Sequence, residues 1–274
     1  MTDKYAVIGN PVAHSKSPYI HAEFARQSGQ DISYVALLAP RDGMRATMLA
    51  FRDAGGRGMN VTLPFKHEAW TSSTIRMGDA DAAGAVNTLL FRGDDIIGHN
   101  TDGIGLLRDI RDNLGCTVGG RRVLLMGAGG ASYGVMAPLL REKPERIIVA
   151  NRTLHRARAL VAHFSQEAAA MACILAASSY AALAGQQFDI VINATSAGLT
   201  HEMPPLHDEC FAAGALAYDM VYGTTPFLAF AQARGARAVD GTGMLVEQAA
   251  ESFFIWRGVR PATRPVIALL KQRM

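Results

Sequence analysis

Short apolar runs punctuated by glycine, proline and asparagine alternate along this chain with longer segments of helical periodicity. Up to residue 100 the pattern predicts strands at 5–8, 32–38 and 58–62 and helices at 17–27 and 42–54. Pro18 suits a first helical turn, and Gly55-Gly56 closes the second helix. Residues 86–91 and 96–99 read as a hairpin around Gly93-Asp94-Asp95, and 104–114 as a helix connecting two domains. Beyond it come strands at 122–126, 146–150, 189–192 and 216–220, with helices at 130–142, 154–166 and 225–234. Two last helices, 244–256 and one ending near 272, are expected to pack back on the first domain. Such alternation predicts an α/β fold with functional loops at strand ends.

One strand runs straight into a glycine loop: Arg122-Val-Leu-Leu-Met126, then Gly127-Ala-Gly129-Gly130-Ala-Ser132. The order strand, loop, helix matches the opening of a dinucleotide-binding unit. Gly127 allows the tight turn, Gly129 lets backbone approach a pyrophosphate, and the helix N-terminus attracts its charge. Ser132 stands where the fingerprint's third small residue belongs, so a plain glycine turn between core elements stays open. The next strand ends in Asn151-Arg152-Thr153, where NAD-binding units place an acid on the ribose. A polar and basic segment suits a 2′-phosphate instead, so the expected cofactor is NADP(H).

At 274 residues the chain can build two cores, and 49% hydrophobic with 19% charged residues is an ordinary globular balance. A net charge of +3, from scattered arginines, argues against nucleic acid. Cys116, Cys173 and Cys210 form neither a disulfide framework nor a metal cluster, which fits a reducing cytoplasm. The eight histidines show no ligand spacing, so no metal is expected. The opening residues lead directly into a strand rather than a signal peptide, and the longest apolar run, 168–177, is too short to span a bilayer.

Polar loops carry the candidate chemistry. In Gly9-Asn-Pro-Val-Ala-His14-Ser15-Lys16-Ser17-Pro18, two hydroxyls and a coming helix N-terminus make either a carboxylate cradle or a helix start capped by Ser17. Lys66, in the loop Asn60-Val-Thr62-Leu-Pro64-Phe-Lys66, is either a solvated surface group or an acid/base. Asn87-Thr88 and Asn100-Thr101-Asp102-Gly103 are further candidates, with Asp102 readable as an N-cap. Tyr222 and Gln248 lie beside apolar runs and read equally well as satisfied buried groups.

Taken in order, these segments resemble the shikimate dehydrogenase family over essentially the whole chain. The resemblance is carried by Gly9 to Pro18, Asn60 to Lys66, Gly84-Ala-Val-Asn-Thr88, Asn100 to Gly103 and Gly127 to Ser132. It continues through Asn151-Arg-Thr153 with Arg156, Asn193-Ala-Thr-Ser196, Asp219-Met-Val-Tyr222, and Asp240-Gly-Thr-Gly-Met-Leu-Val246 with Gln248. It implies an N-terminal α/β substrate domain, 1–102 with the C-terminal helices 240–274, and a Rossmann-like NADP-binding domain, 103–239, separated by a cleft.

It implies NADPH-dependent, reversible reduction of 3-dehydroshikimate to shikimate in aromatic amino-acid (chorismate) biosynthesis, by a cytoplasmic monomer or homodimer. Lys66 and Asp102 would form the catalytic dyad. Ser15, Ser17 and Tyr222 would bind the substrate carboxylate, and Thr62, Asn87 and Gln248 its hydroxyls. Gly127, Ala128, Gly129, Gly130 and Ala131 would hold pyrophosphate. Asn151, Arg152, Thr153 and Arg156 would hold the adenosine end with its phosphate, and Met220 and Gly241 would approach the nicotinamide. Tyr133 departs from the basic residue the family often has there, and the segment after Tyr222 is short. A quinate/shikimate paralogue with relaxed cofactor use is the nearest rival, against which Arg152 and Arg156 speak. A non-catalytic NADP(H) sensor would not need Lys66 and Asp102, and both are present.

Overall fold

The computed structural model describes residues 2–197 and 202–273. The chain divides into two compact units, one of residues 1–105 and 246–273, the other of residues 106–245.

The first unit is built on β1 (Asp3–Gly9), α1 (Ser17–Ser28), β2 (Ile32–Leu38), α2 (Met44–Asp53) and β3 (Gly56–Val61). It continues through α3 (Lys66–Ser72), β4 (Ile75–Met77), α4 (Ala80–Ala83), β5 (Thr88–Arg92), β6 (Asp95–His99) and the start of α5 (Asp102–Arg108). Its sheet runs β2-β1-β3-β5-β6-β4. β1 pairs parallel with β2 and β3, β5 lies antiparallel to both β3 and β6, and β4 is parallel to β6. The C-terminal ends of β1, β3 and β6 and the N-terminal end of β5 therefore share one edge, where Ser15, Lys66, Asn87 and Asp102 follow or precede their strands.

Strand alternation sends Ala6, Ile8, Met59 and Val61 into a core closed by Met44, Met48 and Phe65. Tyr5 and the intervening Asn60 turn to the other face. That face is covered by α1 and by α10 (Thr242–Arg257), where Tyr5 stacks on Trp256 at 4.7 Å and Phe24 meets Phe253 edge to face. α11 (Thr263–Lys271) completes the unit.

The second unit holds β7 (Arg122–Met126), α6 (Gly130–Arg141), β8 (Arg146–Ala150), α7 (Leu154–His163), α8 (Ser165–Ala170) and β9 (Ile174–Ser178). After β10 (Phe188–Asn193) come β11 (Phe211–Asp219), α9 (Pro226–Gln232) and β12 (Arg237–Val239). The sheet is wholly parallel in the order β12-β11-β10-β7-β8-β9. Its central strands read as continuous apolar runs because both faces are buried. Chain order reverses between β7 and β10, the place where parallel α/β sheets open a crevice for ligands.

Several elements differ from the pattern. The helix expected at 104–114 begins at Asp102 and relaxes into a π-helical turn, Asp109–Asn113. Buried Asp109 accepts there from the Tyr218 hydroxyl at 2.7 Å and from Asn113 Nδ2 at 3.0 Å. Lys66 does not lie in a loop but opens α3, and β4, α4, β9 and β12 are additional, being too short or too mixed to show periodicity. The apolar run 168–177 divides between α8 and β9.

Gly58 faces α10 so closely that an added Cβ would lie 2.5 Å from Trp256 Nε1 and 2.6 Å from Leu89 O, atoms bonded to each other at 2.9 Å. Gly58→Ala is expected to destabilise the first unit by about 1–3 kcal/mol through overpacking. Thermal unfolding checks this, and an unchanged midpoint refutes it.

Candidate active site

Four polar side chains converge at the shared edge of the first sheet. Lys66 Nζ donates to Asp102 Oδ2 at 2.6 Å, with Lys66 about a third exposed and Asp102 largely covered. Asn87 Nδ2 donates to the other carboxylate oxygen at 2.8 Å and to Thr101 Oγ1 at 3.0 Å. Gln248 Oε1, from α10, lies 3.4 Å from both Asn87 Nδ2 and Thr101 Oγ1. The Asn87 amide can take only this orientation, because its Oδ1 accepts from the Thr101 backbone N–H at 2.9 Å.

Local structure explains why these groups are available. Asp102 is not an N-cap: Asn100 Oδ1 takes the Asp102 backbone N–H at 3.0 Å, while Asn100 Nδ2 donates to Ala85 O. The Asp102 carboxylate is left for Lys66 and Asn87. Ser17 likewise does not cap α1; Lys16 holds the cap position without a side-chain bond, and Ser17 is the first helical residue. Ser17 is buried, and its backbone N–H donates to Ser15 Oγ at 3.3 Å. Thr62 follows β3, its N–H bonded to Ile8 O, so the loops after β1 and β3 lie side by side.

Beneath this edge lies a polar layer of which sequence reasoning named the segments holding Asn60 and Thr88 but not Tyr34, His21 or Ser252. Asn60 Oδ1 accepts from the Tyr34 hydroxyl at 2.7 Å and contacts His21 Nε2 at 3.2 Å. Asn60 Nδ2 reaches Asn87 O, Thr88 Oγ1 and Ser252 Oγ at 3.2, 3.1 and 2.9 Å. The available signal was a polar residue inside an apolar run, as at Asn60, and Ser252 carried none. Since the Asn87 carbonyl can only accept, Asn60 must turn its Nδ2 toward it and its Oδ1 toward His21. His21 Nε2 then carries the proton, leaving Nδ1 buried without a partner. Burial drives the His21 pKa down to about 3, against a smaller upward pull from Asn60.

In the second unit the remaining candidates follow the C-terminal ends of parallel strands. Gly127 turns the chain at φ +101° after β7, a conformation open to glycine. Ser132, whose size cast doubt on the fingerprint, is buried, and its hydroxyl donates to Gly127 O at 2.8 Å, closing the loop. Ala128 is half-buried, Gly129, Gly130 and Ala131 are exposed, and a Cβ at either glycine would meet no neighbour. Amides at the start of α6 are thus open to a phosphate.

After β8, half-buried Asn151 donates to Thr153 O, and exposed Arg152 and Arg156 have no acidic partner among the described residues. Burial pushes the nearby Tyr180 hydroxyl up to about 12, with the Arg152 charge pulling the other way. Tyr133, at the position the family often makes basic, packs against His163 and Phe164.

After β11, the segment Met220–Tyr222 is held by buried Asp219. That carboxylate accepts from Thr225 Oγ1 at 2.7 Å, Val221 N at 3.0 Å and Asn193 Nδ2 at 3.1 Å. Its burial raises the carboxyl pKa, and these donors oppose the rise. Asp240 Oδ2 accepts from Gly223 N at 2.8 Å, and Gly241 N donates to Val221 O at 3.1 Å, so the short segment is tied at both ends.

Parallel sheet, glycine turn and unpaired arginines on one unit, with a lysine–aspartate pair on the other, define a nicotinamide-dependent dehydrogenase of two-unit α/β type. Family models match in chain order: the shikimate dehydrogenase substrate binding domain at residues 7–89, shikimate / quinate 5-dehydrogenase at 110–201, and the shikimate 5'-dehydrogenase C-terminal domain at 241–271. The shikimate dehydrogenase (NADP(+)) of Nitrosospira multiformis is 57% identical over 100% of this chain and 99% of its own. That of Aromatoleum aromaticum is also 57% identical, over 99% and 98%. Among solved structures, an Ael1 enzyme from Pseudomonas putida superposes with TM-score 0.90 at 48% identity, covering 98% of each chain. Shikimate 5-dehydrogenase of Thermus thermophilus, solved with NADP(H) and shikimate, gives 0.87 at 33% identity over 100% of each chain. The chain belongs to the shikimate dehydrogenase family.

The His21 geometry has a consequence for stability. An unfolded histidine takes up a proton below about pH 6.5, whereas folded His21 stays neutral down to about 3. The stability this contributes is complete above the unfolded pKa and is lost as pH falls from there through the folded value. Denaturant unfolding between pH 7 and 4 should show that loss, approaching about 1.4 kcal/mol per pH unit from this group, and His21→Gln should flatten it. An identical pH dependence in His21→Gln refutes the assignment.

Proposed function

We propose that this chain catalyses the reversible reduction of 3-dehydroshikimate to shikimate with NADPH, Lys66 and Asp102 handling the proton. The observation that carries this reading is the 2.6 Å Lys66–Asp102 pair, its second carboxylate oxygen held by Asn87. Bound NADPH supplies the hydride that the ketone carbon takes up.

Charge develops on the ketone oxygen as the carbon is reduced, and the Lys66 ammonium both stabilises that charge and delivers the proton. Asp102 can only accept, so it holds Nζ in one direction while Asn87 stops the carboxylate from rotating. In the oxidative direction neutral Lys66 takes the hydroxyl proton. Ser15 and Ser17 supply hydroxyls for the substrate carboxylate, and Thr62, Asn87 and Gln248 bind its ring hydroxyls.

The cofactor's charges match what the second unit exposes. The loop Gly127 to Ala131 and the first amides of α6 take the pyrophosphate, and Asn151, Arg152, Thr153 and Arg156 take the adenosine end with its 2′-phosphate. Met220 and Gly241 border the nicotinamide. This reading puts the enzyme in aromatic amino-acid biosynthesis, in the cytoplasm.

Reduced-nicotinamide absorbance, followed with shikimate and with quinate against NADP⁺ and NAD⁺, tests the reaction directly; turnover confined to quinate or to NAD⁺ overturns it. Lys66→Ala should lower kcat by at least about 100-fold with little change in KM. An unchanged kcat removes the lysine from the chemistry. Arg152→Ala should weaken NADPH by roughly 1.5–3 kcal/mol and NADH far less; equal weakening shows that the arginine does not read the phosphate.

A further inference from the structure

The buried layer under the dyad is one connected network of hydrogen bonds that ends on the Asp102 carboxylate. Asp102 at one end accepts only. Asn87 gives it an Nδ2 proton at 2.8 Å, so Asn87 Oδ1 points back, where Thr88 Oγ1 donates to it at 3.0 Å. The 2.7 Å contact between Thr88 Oγ1 and Ser252 Oγ can be donated from either side, and with the Thr88 proton on Asn87 it is Ser252 that donates. Ser252 Oγ in turn accepts from Asn60 Nδ2 at 2.9 Å, and Asn60 Oδ1 accepts from Tyr34.

Ser252 is fully buried and has a second acceptor in reach, the Gln248 carbonyl at 3.0 Å. The Thr88 contact is the shorter, and it alone lets Thr88 spend its proton on Asn87. Each donor in such a chain polarises the next, and the polarisation ends on the carboxylate that orients Lys66.

We propose that Ser252 is a positioning residue for catalysis: through Thr88 it adds to the hold of the Thr101 N–H on the Asn87 amide, and through Asn87 it helps keep Asp102 aligned on Lys66. Ser252 touches neither Asp102 nor Lys66; Thr88 at 2.7 Å and Thr101 Oγ1 at 3.5 Å both connect it to Asn87 Oδ1. This deepens the dyad reading and rests on it. Removing the Ser252 hydroxyl takes a donor from Thr88 Oγ1 and so weakens the polarised Thr88–Asn87 bond, while Asn60 Nδ2 keeps Asn87 O and Thr88 Oγ1 as partners. The layer should stay folded and the dyad should lose alignment.

The test is a double-mutant cycle on shikimate oxidation with NADP⁺. Ser252→Ala should lower kcat about three- to tenfold, the worth of one hydrogen bond, with the shikimate KM within about twofold. On an Asn87→Ala background the same substitution should change kcat by less than about twofold, because the link through which it acts is gone. An equal loss on both backgrounds, an effect carried by KM instead of kcat, or no loss in the parent enzyme overturns the proposal. Full kcat in Asn87→Ala alone overturns the assignment of Asn87 to the dyad and this inference with it. A loss in Asn87→Ala combined with an additive Ser252→Ala overturns the inference alone. If Ser252→Ala does not yield folded protein by circular dichroism, Ser252→Cys, which fills the space and donates weakly, carries the same cycle with the same criteria.

Discussion

A carboxylate accepts hydrogen bonds and cannot donate them, and Asp102 sits largely covered at the end of a strand edge with a cation and an amide as its partners. The surrounding arrangement follows from satisfying it. Asn100 takes over the helix-capping duty, Asn87 must present nitrogen, and Thr101 N–H then fixes the amide's oxygen. The layer continues inward through Thr88, Ser252 and Asn60 to Tyr34. Such a layer in a low-dielectric interior is stable only when each member is paired, and it then specifies one set of rotamers. Among the described residues the unpaired atom of that layer is His21 Nδ1, which burial keeps unprotonated.

The second unit solves a different problem. A dinucleotide carries negative charge, and its binding edge must offer donors without competing acids. Gly129 and Gly130 leave the α6 amides open, while Arg152 and Arg156 are not tied up by carboxylates. Acids do occur at this edge, but Asp219 and Asp240 are turned onto backbone N–H groups and hydroxyls. There they shape the segment bearing Met220 and Tyr222, and among the described residues the arginines have no acidic partner. The same chemical group is thus a structural tie in one unit and the ion-pair partner of Lys66 in the other.

Much of the fold was legible from periodicity. β2, β7 and β8 occupy the residues their apolar runs predicted, and the helices after β1 and β7 begin where Ser17-Pro18 and Gly129-Gly130 predicted them. Long periodic segments survive because burying a continuous apolar face outweighs local preference. Short elements did not announce themselves: β4 and β12 have three residues each, and α4 has four, too few for a period to register. The position of Lys66 at the head of α3 was hidden for the same reason.

Sequence by itself determined the chemistry available: an NADP-suited glycine turn with arginines behind it, and lysine, asparagine and aspartate in recognisable segments, which resemble one enzyme family. Family membership and residue types are local properties of the chain, readable without knowing what meets what. Tertiary structure alone decided that Ser17 and Asp102 do not serve as helix caps and which residues they meet. Ser17 and Asp102 could have been caps, and Ser252 could have been one more small residue in a buried helix. The deciding facts are contacts between residues up to 192 apart in sequence, such as Asn60 with Ser252. Hydrogen-bond direction depends on the partner as much as on the donor, so no single segment could reveal it.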